Sequence, residues 1–94
     1  MIIMCQQKFL LLFKVDIACV DNEHNEDISL YIRRRGMEVI PPVGMHILFG
    51  EYDFEITGVS APFSFDVITC KCQLYKPLIF EQVLELMKFG WREI

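Results

Sequence analysis

The chain has 94 residues, of which 53% are apolar and 23% charged, with a formal net charge of −4. A chain of this length builds one hydrophobic core, so 1–94 is expected to be a single domain, and its composition excludes a disordered polymer. A net-acidic chain also argues against a broad electropositive face for nucleic acid.

The longest apolar run near the start, Phe9 to Phe13, is five residues long and lies between Lys8 and Lys14. It falls short of the roughly 7–15 residues of a signal-peptide core and the ~20 that span a bilayer. The expectation is a cytoplasmic protein without a membrane segment. From Phe9 to Cys19 the odd positions Phe9, Leu11, Phe13, Val15, Ile17 and Cys19 share one side, while Lys14 and Asp16 mark the other. That alternation is a half-buried strand. Leu10 and Leu12 are apolar on the opposite face, so this half of the strand needs cover on both sides.

Residues 21–27 are all polar and read as an exposed connection. Ile28, Leu30 and Ile32 then alternate into a second strand, which Arg33, Arg34, Arg35 and Gly36 end or bend. Ile40-Pro41-Pro42-Val43-Gly44 is a corner, because proline lacks the N–H that a ladder needs. Beyond it, Gly50-Glu51 has the form of a two-residue type II′ turn, pairing strands 45–49 and 52–59 antiparallel, with Gly58 suited to a bulge or bend. Ser60-Ala61-Pro62 breaks the chain again. A last strand runs from Phe65 to Tyr75 with Ile68, Cys70, Cys72 and Leu74 on one face. After Lys76-Pro77 the period changes: Ile79, Val83 and Leu86, flanked by Phe80, Leu84, Met87 and Trp91, predict an amphipathic helix over about 78–90.

Short connections favour antiparallel neighbours. The expected fold is therefore α+β: a five-stranded antiparallel meander curling into a small open barrel, with one C-terminal helix.

The chain shows neither a phosphate-cradling glycine loop nor a nucleophile elbow. A cysteine nucleophile would have to come from Cys70 or Cys72 with His46. Those cysteines share a strand phase with Ile68 and Leu74, where cysteine behaves as a small buried hydrophobe, so no catalytic residue is assigned. Cys5, Cys19, Cys70 and Cys72 are expected as reduced thiols. No Cys-x-x-Cys spacing supports zinc, and the 21–27 loop lacks the glycine and final glutamate of an EF-hand. Neither a metal nor another cofactor is expected.

Three surfaces remain. Glu51, Asp53 and Glu55, with Asp21, Glu23, Glu26 and Asp27, offer carboxylates that could dock on an arginine-rich partner or imitate phosphates. Tyr31, Arg33, Arg34 and Arg35 are the alternative, a nucleic-acid patch, although arginines at a strand end more commonly protect a sheet edge. Surplus apolar surface is the third. The apolar share is about 55% when glycine is counted in and tyrosine out, against the usual ~45–50%. Ile2, Ile3, Leu10, Leu12, Trp91 and Ile94 would supply a self-association surface, making the chain a homodimer.

The leading functional expectation is a small, acidic, non-enzymatic protein-interaction module. By analogy of design, it suits a phage or mobile-element inhibitor of a host nucleic-acid enzyme. A nucleic-acid-binding small barrel is the alternative, and a cysteine-dependent enzyme the third reading.

Overall fold

A computed structural model of the chain describes residues 8–61 and 66–94. Six strands and one helix follow in order: β1 Phe9–Val20, β2 Asn25–Met37, β3 His46–Phe49, β4 Tyr52–Ser60, β5 Val67–Gln73, α1 Phe80–Lys88 and β6 Arg92–Glu93. They form one mixed sheet in the order β3-β4-β5-β1-β2-β6.

The expected α+β class and barrel-like curl are present, but two details of the meander need correction. Among the described residues the sheet has six strands, and β5 pairs with β1 in parallel, with Phe13 opposite Cys70. Short consecutive connections had suggested antiparallel pairs throughout. That rule governs strands joined directly, whereas β1 and β5 are separated by three strands and run the same way because an odd-numbered meander brings its ends together in parallel. The second correction is β6, which pairs with β2 at Leu30 and Tyr31. Two residues carry no readable period, and these two lie beyond the expected end of the helix at about 90.

The sheet curls until its ends nearly meet. Arg34 of β2 sits 5.8 Å from the Phe49 ring of β3, although β1, β5 and β4 intervene in the ladder. Among the described residues no ladder joins β2 to β3, and the connection between them carries Pro41 and Pro42, which have no N–H to donate. The result is a half-barrel open along one seam.

Strand alternation fills the interior. Leu11, Phe13, Val15, Ile17 and Cys19 of β1 meet Ile28, Leu30 and Ile32 of β2, Tyr52, Phe54 and Ile56 of β4, and Ile68, Cys70 and Cys72 of β5, all buried. The Gly50 turn has φ +62, as a type II′ corner requires, and Thr57 is the extra residue of a bulge between Ile56 and Gly58.

The helix is held at three places. At its start, the Phe80 N–H donates to Asp21 Oδ2 at 2.9 Å, and the Ile79 N–H donates to Gln82 Oε1. The long-range carboxylate takes the place of a capping side chain, which Ile79 lacks, and its charge suits the positive end of the helix dipole. Midway, the buried Tyr52 hydroxyl donates to Glu85 at 2.9 Å. At the end, Gly90 at φ +109 allows its own N–H to reach Met87 O and the Trp91 N–H to reach Leu86 O, a Schellman closure.

That closure turns Trp91 inward. Its ring lies 5.2 Å from Phe54 and 5.3 Å from Phe49, so it fills the seam between β2 and β3 from within. Trp91→Ala should therefore cost about 3–5 kcal/mol, a large share of a small domain's stability, whereas Trp91→Phe should cost clearly less. Urea unfolding followed by far-ultraviolet circular dichroism measures both. Gly90→Ala should destabilise as well, since an L side chain at this φ is strained and its Cβ would come within 3.4 Å of Ile32 Cδ1.

Candidate functional site

The open seam leaves an apolar groove of about 350 Å³. Its floor is Leu11 and Phe13 of β1, and its walls include Met37, Pro41, Met45 and Phe49. Nine of its ten lining residues carry no charge, and the exception is Arg34. The rim is strongly exposed, with Val39 71% accessible and Met45 48%. Met37 and Met45 are unbranched and polarizable, side chains that adapt to differing apolar shapes.

The three arginines expected as one cluster separate. Arg33 points its guanidinium over Tyr31 at 5.4 Å, while Arg34, one residue on and so on the other face, lies over Phe49 in the seam. Arg35 and Gly36 together oppose the single residue Leu10, forming a bulge in which Gly36 takes φ +69.

The seven carboxylates divide too. Asp21 is no free ligand: its Oδ1 accepts from the Glu23 and His24 N–H groups and lies 2.9 Å from His24 Nδ1, while Oδ2 holds the helix start. These donors, the Phe80 N–H foremost, hold its carboxyl far below the usual aspartate range. His24 stacks on Phe80 with ring centroids 4.4 Å apart. The polar 21–27 segment is thus partly a clasp between the first hairpin and the helix. Asp53 lies 2.9 Å from His46 Nδ1, and Glu55 accepts from the Tyr75 hydroxyl. Glu23, Glu26, Asp27 and Glu51 are exposed, and Asp27 faces a shallow groove on the outside of the sheet.

Of the residues proposed for self-association, Trp91 is only 1% exposed and belongs to the core, which removes it as an interface anchor. Ile94 is 69% exposed, and Leu10 and Leu12 are half-buried on the outer face of β1. Ile2 and Ile3 lie outside the described residues. Six of the twelve exposed large apolar side chains among the described residues cluster around the Pro-Pro corner: Met37, Val39, Ile40, Val43 and Met45, with Leu48 beside them on β3. Their sequence signal was present as apolar residues crowding a segment that prolines keep out of any ladder.

Cys19, Cys70 and Cys72 are free and buried. Burial pushes all three thiols up, Cys72 to about 12, so the nucleophilic thiolate is disfavoured. His46, the histidine that a cysteine nucleophile would have needed, faces Asp53 on an exposed surface rather than these thiols. Among the described residues no group of three or more His, Cys, Asp or Glu is placed to hold a metal ion, and no helix is long and apolar enough to cross a membrane. No known protein family, curated protein or solved structure matches the chain.

Asp21 makes stability depend on pH with a definite sign. A carboxyl with a depressed folded pKa stabilises the fold above the unfolded value, about pH 4, and this stabilisation is lost as the pH falls towards the folded value. Asp21→Ala should lower the melting temperature at pH 7, and its deficit against wild type should narrow steadily below about pH 4. A deficit independent of pH in melts from neutral to acid would refute the clasp. The thiols give a second check: in a Cys5→Ser background, a disulfide probe such as dithionitrobenzoate should label Cys19, Cys70 and Cys72 only after denaturant is added.

Proposed function

We propose that the protein is a non-enzymatic interaction module whose seam groove receives an apolar segment of a protein partner. The observation that carries this reading is the groove itself: about 350 Å³, with an apolar lining apart from Arg34 and a rim of exposed Val39 and Met45. Exposed apolar surface of this kind mixes poorly with water and gains free energy when covered. Arg34 adds direction. A partner segment carrying a carboxylate beside its apolar residues would meet the guanidinium at the groove wall.

A homodimer is the special case in which a second copy supplies the segment. The narrower reading, an inhibitor of a nucleic-acid enzyme, draws on Glu51, Asp53 and Glu55 as phosphate-like charges and predicts competition with that enzyme's own substrate. Buried free thiols suit a reducing compartment such as the cytoplasm.

Photo-crosslinking in the native host tests the groove. A photoreactive residue at Val39 should give a discrete protein adduct, lost when Met45→Glu is added, while the same residue at Lys88 on the helix should not. Sedimentation velocity identifies the homodimer by its doubled mass. No adduct at Val39, combined with a monodisperse monomer at high micromolar concentration, would refute the reading.

A further inference from the structure

The strand register creates a second surface that composition conceals. On the outer face, Lys71 of β5 lies directly opposite Lys14 of β1, Lys14 opposite Tyr31 of β2, and Tyr31 opposite Arg92 of β6. In the next row Arg33 stands opposite Leu12, which stands opposite Thr69. Adjacent strands are about 4.8 Å apart, so the first row crosses the sheet in roughly 14 Å. Lys71, Lys14 and Arg33 thus share the outer rows with one half-buried tyrosine, while the Arg92 guanidinium turns back to donate to the Met87 and Trp91 carbonyl oxygens.

This arrangement costs stability. Like charges directly opposite one another repel, and no carboxylate of the described residues pairs with Lys14 or Lys71 within 4.0 Å. Asp16 accepts from the Ser29 hydroxyl instead. Of these cations Lys14 and Lys71 line a groove of about 480 Å³, together with Thr57, Ser60, Thr69 and Gln73 as hydrogen-bonding groups and, further along the strands, Asp16 and Asp27.

We propose that this face binds single-stranded nucleic acid, with Lys71, Lys14 and Arg33 contacting successive phosphates; Arg33 moves off the Tyr31 ring, which it covers in the free protein, and the ring stacks a base. Phosphates neutralise the unrelieved Lys14–Lys71 pair, and an aromatic ring amid cations is the element that a purely anionic protein surface would not require. Asp16 and Asp27 repel the backbone from the groove's far end, which fixes the path along the cationic rows. The surface is separate from the seam groove, and its ligand is independent of whatever fills the seam. It also differs from the triple-arginine patch read from sequence, because Arg34 faces the seam and two lysines distant in the chain take its place.

Fluorescence anisotropy with labelled oligouridylate and oligothymidylate of about 15 nucleotides tests it. With three phosphate contacts, the log–log dependence of affinity on salt should have a slope of about −2.1, falling to about −0.7 in Lys14→Ser/Lys71→Ser, with affinity at low salt reduced roughly tenfold or more. Tyr31→Ala should weaken binding roughly tenfold while leaving the slope unchanged. Lys88→Gln, on the helix, should change little, and unchanged circular dichroism confirms that each variant folds. Three results would overturn the proposal: no binding of either oligonucleotide at low salt, an unaltered slope in the double variant, or displacement by polyglutamate as effective as by unlabelled oligonucleotide. The last would assign the face to an acidic protein.

Discussion

Trp91 holds the two ends of the sheet together. A five-strand meander curls and closes through its first and last members, leaving the β2–β3 boundary without a ladder among the described residues, and the chain crosses it with two prolines. Backbone hydrogen bonds cannot seal that boundary, so a side chain must. The indole packs on Phe54 and Phe49, and β6, immediately after it, occupies part of the free edge of β2. The helix delivers Trp91 to this position, and the Asp21 clasp, the Tyr52–Glu85 hydrogen bond and the Gly90 closure position the helix.

Both proposed surfaces follow from this closure. Trp91 fills the seam only near β6, and the remainder, alongside Met37 and Met45, stays as an apolar groove. On the outside, the parallel β5–β1 ladder brings Lys71 beside Lys14, and the β6 pairing brings Arg92 beside Tyr31. A simple open meander would have placed Lys14 and Lys71 on opposite edges of the sheet. The same topology thus gives an apolar inner lane and a cationic outer row in a protein of net charge −4.

Local chemistry made much of the fold legible. Period-two alternation located β1 and β5, the Gly50-Glu51 dipeptide located the β3–β4 hairpin, and the change of period after Pro77 located the helix, which begins and ends about two residues inside its expected limits. The second strand ran further than expected, because the bulge at Arg35 and Gly36 absorbs the irregularity that had looked like an end. What could not be read was long-range: which strands close the barrel, and therefore which charges meet. Lys14 and Lys71 lie far apart in sequence and carry no local pattern linking them. Asp21 was legible as an acidic loop residue but not as a helix cap, since its partner Phe80 lies 59 positions away.

Nuclear Overhauser contacts in an isotope-labelled sample test the closure most directly. A barrel closed through β5 and β1 and sealed at the seam by an indole predicts parallel-type backbone contacts around Phe13 and Cys70. It also predicts contacts from the Trp91 ring to Phe49 and Phe54, and none between the backbones of Ile32–Met37 and His46–Phe49. A continuous β2–β3 ladder, with the Trp91 ring free of both phenylalanines, would contradict it.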